Sequence, residues 1–192
     1  MKPSAKIVTV FGSSRPRPGE AQYSVAQELG SELARQGFIV CSGGYAGTME
    51  AVSRGAKEAG GRTIGITAHF FKARVNRYID EEIRVKTWQD RLFALIERGD
   101  AFVTCPGGTG TLVELAVVWE MLNKNAIGRK PLVVLGEFWH PIIDRVREVE
   151  LGHESKWGEK QDSLIHRAAS PDDAATFLAE YFAKSKTQRR TR

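Results

Sequence analysis

The sequence predicts an α/β fold: a single Rossmann-like doubly wound domain with a central, mostly parallel sheet of about seven strands. Three observations predict it. Short apolar, β-rich runs alternate with longer segments of helical period, as in βαβ units whose sheet is covered on both faces. The length of 192 residues, 42% of them hydrophobic, suits one substantial core and the usual size of one domain. Two glycine turns, each after a strand and before a helix, place close backbone approaches where such sheets bind ligands.

Taken in order, strands are expected at 7–11, 38–42, 62–66, 82–86, 101–105, 132–135 and 164–167. Between the first two, Val25, Leu29 and Leu33 recur at helical spacing and Gly37 follows as a cap. A helix over 88–98 presents Leu92, Leu95 and Ile96 and stops at Gly99. Ser170-Pro171-Asp172-Asp173 supplies a cap, a proline at the first helical position and acids in the first turn, so a last helix runs to about Ala183. The segment 67–81, with Phe70, Phe71, Lys72, Arg74, Arg77 and Tyr78, has no clear period and reads as a lid or a short extra helix. The stretch 152–163 is the other irregular place. The domain is taken as residues 1–183, with 184–192 a basic, disordered tail.

The net charge of +5 comes from that tail: residues 184–192 hold five Lys or Arg and no acid, and the rest of the chain balances at 23 of each sign. A neutral body argues against a nucleic-acid surface, which needs phosphate-facing charge clustered on the fold. Cys41 and Cys105 are far apart and form no C-x-x-C pair; they read as buried thiols in a reducing compartment. The apolar run at 7–11 is too short for a signal-peptide core, and no stretch approaches a membrane span. A cytoplasmic protein without membrane contact is the expectation.

The two glycine turns echo each other. Val40-Cys41-Ser42-Gly43-Gly44-Tyr45-Ala46-Gly47-Thr48-Met49-Glu50 parallels Thr104-Cys105-Pro106-Gly107-Gly108-Thr109-Gly110-Thr111-Leu112-Val113-Glu114. Glycine lets the backbone approach a ligand, and the following helix points free N–H groups and its positive dipole end at the same spot. Gly107, Gly108 and Gly110, with the Thr109 and Thr111 hydroxyls, suit a phosphate monoester; in the Gly43, Gly44 turn a tight turn without ligand explains the residues equally well. No lysine follows either turn as a P-loop requires, and Val113 stands where the dinucleotide fingerprint needs a small residue, leaving NAD a weak alternative. Glu114, about one turn beyond Gly110, returns its carboxylate toward the pocket, where the helix N-terminus favours its ionised form. A carboxylate there suits stabilisation of a cationic sugar C1, a hold on ribose hydroxyls or orientation of water. Glu50 invites the same accessory role, with a favourable first-turn acid the blander reading. Arg91 by itself reads as a surface residue. His69, His140, His153 and His166 lack metal-ligand spacing, so no metal and no cofactor is expected.

Pro106 to Glu114 resembles the hallmark P-G-G-x-G-T-x-x-E of the LONELY GUY family, often mislabelled lysine decarboxylase, at every fixed position. Arg91 lies fifteen residues before Pro106, as the family's arginine does. Residues 8–14, with Gly12 and Ser13, resemble its first strand and loop, and residues 47–56 its second glycine turn and helix. The resemblance implies a homodimer with active sites near the interface and hydrolysis of the N-glycosidic bond of an adenosine 5′-monophosphate, often N6-substituted as in cytokinin nucleotides, to free base and ribose 5-phosphate. It also implies that Arg91 and Glu114 are the catalytic pair and that Gly107–Thr111 hold the phosphate. The chain departs from the family in carrying Trp88 where methionine is common, Leu92 where lysine follows the arginine, and Ser42 for the third glycine of the common Gly-Gly-Gly start. Ser42 can still donate to a phosphate or hydroxyl. A decarboxylase would need a Schiff-base lysine, and neither turn has one.

Two other readings use the same turns. A non-catalytic binding protein would hold a phosphorylated ligand such as the molybdenum cofactor, and would need the phosphate loop but not the distal glutamate. Ribosyl transfer to another base would use similar chemistry while excluding water. Phe70, Phe71 and Tyr78 suit either a base pocket or core packing; Phe138 and Trp139 read as core or dimer contacts.

Overall fold

Apolar residues alternate along the strands, and this alternation decides which helices cover which face. The computed structural model describes residues 5–151 and 164–190. Its elements run β1 (Ile7–Phe11), α1 (Ala21–Arg35), β2 (Ile39–Ser42), α2 (Thr48–Glu58), β3 (Thr63–Ala68), β4 (Glu81–Val85), α3 (Trp88–Arg98), β5 (Ala101–Thr104), α4 (Thr109–Asn123), β6 (Leu132–Leu135), α5 (His140–Leu151), β7 (Ile165–Ala168) and α6 (Pro171–Arg190). All seven strands are parallel, in the order β4-β3-β2-β1-β5-β6-β7. Val8, Val10, Val40, Ala101, Val103 and Val133 face α1, α2 and α6 in one core. Cys41, Ile64, Ile66, Phe102, Leu132 and Val134 face α3, α4 and α5 in the other. The period of two, read through parallel strands buried on both sides, thus yields a doubly wound sandwich.

Local chemistry starts and stops the helices as expected at several ends. Ser170 Oγ accepts from Asp173 N at 3.1 Å at the head of α6. Gly37 follows α1 with φ +80°, its N–H on Ala34 O at 2.9 Å. Thr87 and Asp90 close a reciprocal capping box on α3. Cys41 and Cys105 are buried free thiols, and burial pushes both up to about 12.

Four expectations change. Strand β3 reaches Ala68, because Thr67 and Ala68 pair with Arg84 and Val85 of β4. The segment 67–81 therefore splits into strand ends around an irregular connection, 69–80, that contains no helix. Val25 is 40% exposed: each four-residue step drifts about 40° around a helix, and the buried stripe of α1 begins instead with Tyr23 and Ala26, packed with Ala51 of α2. Helix α6 continues to Arg190 past Ala183, since no Gly or Pro interrupts it and Ser185 Oγ and Lys184 reach back to Tyr181 O and Glu180. The irregular stretch 152–163 and His153 lie outside the described residues.

Candidate active site

Strand order reverses beside β1: the chain moves outward through β2, β3 and β4, then crosses back to place β5 on the other side of β1. Loops leaving the carboxyl ends of β1 and β5 consequently turn apart and open a crevice, the usual ligand position in such sheets. A cavity of about 1050 Å³ lies there, lined from the loops that follow β1, β2, β3, β5 and β6 and from the N-terminal turns of α1, α2, α3 and α4.

Its floor is the second glycine turn. Gly108 is the N-cap residue of α4 and no side chain caps the helix. Leu112 N, on Gly108 O at 2.9 Å, makes the first intrahelical bond, so the N–H groups of Thr109, Gly110 and Thr111 point outward at the positive end of the dipole. A Cβ built at Gly108 or Gly110 would meet no protein atom within 4 Å, whereas one at Gly107 would overlap Thr111 Oγ1. Gly107 is thus needed for the loop to close on itself, and Gly108 and Gly110 leave the backbone accessible. Ser13 N donates to Pro106 O at 3.4 Å, and Ser13 O accepts from Thr48 N at 2.8 Å. Gly12 and Ser13 are thereby tied to both glycine turns, and they line the cavity with Pro106 to Thr111.

The wall is Arg91 and Glu114. Arg91 enters from the first turn of α3, and its side chain is only 9% exposed. Its Nε donates to Ile66 O at 2.8 Å, its Nη2 lies 3.6 Å from Met49 Sδ, and its guanidinium sits over the Tyr45 and Phe71 rings at 5.4 and 5.5 Å. Nη1 comes within 3.9 Å of Glu114 Oε1. Glu114 is 16% exposed; burial pushes its carboxyl up to about 7, with the Arg91 charge pulling the other way. Desolvation likewise lowers Arg91, opposed by Glu114. The helix N-terminus and Arg91 favour the ionised form of Glu114, and removal from water works against them.

Other predicted residues divide. Gly43 and Gly44 do not line the cavity; a Cβ at Gly43 would overlap Arg91 Nη2, so this glycine makes room for the protein's own arginine. Ser42 Oγ accepts from Gly44 N at 3.2 Å and is fully buried, so it braces the turn and reaches no ligand. Glu50 accepts from Tyr23 OH at 3.5 Å and is not on the lining. Phe71 and Phe138 line the cavity, while Phe70 is 67% exposed and Tyr78 pairs with Arg77. Trp139 is core, its Nε1 donating to Cys105 O at 3.0 Å. Leu92 and Trp88, the departures from the family pattern, both face the cavity.

Sequence reasoning missed Tyr45, Met49, Arg15 and Arg17 on the lining. The run Arg15-Pro16-Arg17-Pro18 in the loop after β1 was the available signal for the last two.

Comparison with known proteins gives the geometry a family. The model of the SLOG cluster4 family matches residues 5–173. A cytokinin riboside 5′-monophosphate phosphoribohydrolase of Mycobacterium marinum is 32% identical over 72% of this chain and 75% of its own. Two solved structures share the fold at a TM-score of 0.70. The molybdenum cofactor binding protein of Rippkaea orientalis is 25% identical, over 93% of this chain and 98% of its own. The Moco carrier protein of Chlamydomonas reinhardtii is 26% identical, over 94% and 99%. With its motif from Pro106 to Glu114 and a family match spanning nearly the whole chain, the protein belongs to the SLOG cluster4 family and, through its relatives, to the LONELY GUY proteins.

Proposed function

We propose that the chain is a phosphoribohydrolase that cleaves the N-glycosidic bond of an adenosine 5′-monophosphate, plain or N6-substituted. The observation that carries the reading is the convergence of Arg91 and Glu114, 3.9 Å apart, on the cavity whose floor is the α4 N-terminus. The 5′-phosphate accepts from the N–H groups of Thr109, Gly110 and Thr111. One helical turn, about 5.4 Å, separates Gly110 from Glu114, a span that suits a ribose lying along the turn with C1′ at the carboxylate.

Hydrolysis adds water across the bond, oxygen to C1′ and a proton to the base. As carboxylate, Glu114 faces the cationic C1′ of the transition state and takes the proton of the attacking water. A carboxyl near 7 is populated in both protonation states at neutral pH, so it can also return that proton to the leaving base. Arg91, fixed by Ile66 O and two rings, holds Glu114 in position. Tyr45, Phe71, Trp88 and Phe138 form an aromatic wall suited to a base. Leu92, in place of the family's lysine, removes one positive charge and enlarges the apolar part of the wall. Buried free thiols suit a cytoplasmic setting, and a homodimer is expected by size measurement in solution.

The test is incubation with AMP and with N6-isopentenyl-AMP, following free base and ribose 5-phosphate. Release from either substrate is expected, together with its loss in Glu114→Gln and Arg91→Ala. Release undiminished in both variants would remove the catalytic assignment.

A second reading, a carrier for a phosphorylated cofactor, is favoured by the likeness to the two molybdenum cofactor proteins. The phosphate floor serves it equally, but the buried Arg91–Glu114 pair has no task in it. Nucleotide binding without base release would favour the carrier.

A further inference from the structure

Strand β3 outruns β2: pairing with β2 ends at Ser42 and Gly65, while pairing with β4 continues to Ala68. On the side that β2 has left, the backbone groups of β3 still need partners, and two side chains of the crevice supply them. Arg91 Nε donates to Ile66 O at 2.8 Å. The Tyr45 hydroxyl accepts from Ala68 N at 2.9 Å and donates to Ala68 O at 3.2 Å. Ile66 and Ala68 are two residues apart on the strand, so their backbone groups point the same way. The arginine and the tyrosine are therefore placed by the same stretch of backbone, and they meet. The Arg91 guanidinium carbon lies 5.4 Å from the centre of the Tyr45 ring, inside the roughly 6 Å at which a ring face attracts a cation. Phe71 adds a second ring at 5.5 Å, tilted 67° against Tyr45 with centroids 5.6 Å apart. Tyr45 is itself only 8% exposed, and Asn76 Nδ2 donates to its carbonyl at 3.0 Å.

The consequence falls on Glu114. An arginine free to meet a carboxylate closes to about 2.7–2.9 Å, often through two parallel hydrogen bonds. Here Nη1 stops 3.9 Å from Glu114 Oε1, too far for a hydrogen bond. We propose that Tyr45 is a positioning residue: its ring, tied to β3 through the hydroxyl, holds the Arg91 guanidinium off Glu114, so that the two face each other across the cavity wall without closing. An open pair leaves the carboxyl able to take and return a proton. A hydrogen-bonded salt bridge would suppress that exchange by stabilising the carboxylate. The inference rests on the reading of Glu114 as the group that exchanges the proton in base release. Among the described residues, the titratable groups acting on Arg91 are Glu114, Tyr45 and Cys41, and the one acting on Glu114 is Arg91. Arg15, Arg17 and Arg74 also stand on the lining, but they are exposed, screened by solvent and unchanged in the variants below.

The test is an NMR titration of the Glu114 carboxyl in protein carrying isotope-labelled glutamate, its signal identified by its loss in Glu114→Gln, run beside the pH profile of base release from AMP. In the parent the carboxyl is expected to titrate at about 7; a midpoint at or below the ordinary 4.5 marks a closed pair and overturns the inference before any variant is made. Tyr45→Leu should lower the midpoint by at least about one pH unit, a tenfold weaker hold on the proton. The acid limb of kcat should move down with it, because Glu114 must be ionised to take the proton of water. Tyr45→Phe, which keeps the ring and loses only the tie to Ala68, should move the midpoint less than half as far. Circular dichroism checks that both variants keep the fold. A midpoint unmoved in Tyr45→Leu, or moved equally in Tyr45→Phe, overturns the inference, and a lower kcat with the limb in place leaves Tyr45 a structural part only. Base release by the parent is scored separately. A protein that releases base while its Glu114 ignores Tyr45→Leu keeps the proposed function and loses the positioning role. One that releases no base from any nucleotide, yet shows the shift, keeps the positioning role and loses the function.

Discussion

The two glycine turns are nearly the same in sequence and opposite in use. After β2, the space created by Gly43 is filled by Arg91, the Gly44 carbonyl accepts from Asn76 N at 2.8 Å, and the Thr48 N–H at the start of α2 is taken by Ser13 O. After β5, Gly108 and Gly110 face no protein atom, and the first turn of α4 is exposed through Gly110. Both turns use glycine for close approach. One approach is by the protein's own side chain, and the other stays open to the cavity where the proposed phosphate sits. Glycine density therefore marks a crowded backbone, and only the neighbours decide who does the crowding.

Exchanging these uses should break the comparison most severely at Gly43. A Cβ there displaces Arg91 and crowds Met49, so Gly43→Ala should lower kcat by about a hundredfold, on the scale of a lost electrostatic group, and reduce stability by about 1–3 kcal/mol through overpacking. Base-release kinetics and urea unfolding check both numbers; a kcat within a few-fold of the parent would show that Arg91 can be held elsewhere.

Glu114 offers the next largest effect. Its carboxyl is at about 7 when folded and near 4.5 otherwise, so the folded protein binds the extra proton between those values and stability falls as pH rises through that window. The loss is on the order of 3 kcal/mol. It should disappear in Glu114→Gln, measured by denaturant unfolding at pH 5 and pH 8. An unchanged slope in the variant would mean that other groups carry the pH dependence.

Gly110→Ala sharpens the contrast from the other side. In a helix, alanine gains up to about 1 kcal/mol over glycine, and the added methyl meets no protein atom. Thermal stability should hold or rise slightly while AMP affinity falls about tenfold, since the methyl stands where the phosphate approaches the backbone. The smallest effect is expected at Glu50. Glu50→Gln should change base release by less than about threefold, because Glu50 serves Tyr23 at 3.5 Å and not the cavity.

Much of the fold was legible because burial on both faces of a parallel sheet leaves apolar runs, and the helices between them carry their own caps. Strand ends were less so: whether Thr67 and Ala68 belong to β3 is decided by β4, seventeen residues away along the chain. Glu114 was legible from local geometry, as a carboxylate one turn into the helix after a glycine loop. Arg91 was not, and only the family resemblance raised it. Its setting is assembled from Tyr45, Met49, Ile66 and Phe71, contributed by three separate stretches of chain. How far burial offsets the helix dipole at Glu114 is not legible for a related reason: the dipole can be read from sequence, but the depth of burial cannot.

Asn76 has a kinetic consequence. Its N–H bonds Gly44 O at 2.8 Å, its side-chain Nδ2 bonds Tyr45 O at 3.0 Å, and its Oδ1 accepts from Tyr78 N at 3.0 Å. Tyr45 OH in turn bridges the N–H and carbonyl of Ala68 at 2.9 and 3.2 Å. The connection between β3 and β4 is therefore pinned at both Ala68 and Asn76, and the seven residues between, which bring Phe71 and Arg74 to the crevice, form a short tethered arm. Arms of this size rearrange in nanoseconds to microseconds, far faster than a common turnover of roughly 10 per second. In the proposed reaction, product release across this arm is thus set by how tightly the phosphate is held, not by how quickly the arm moves.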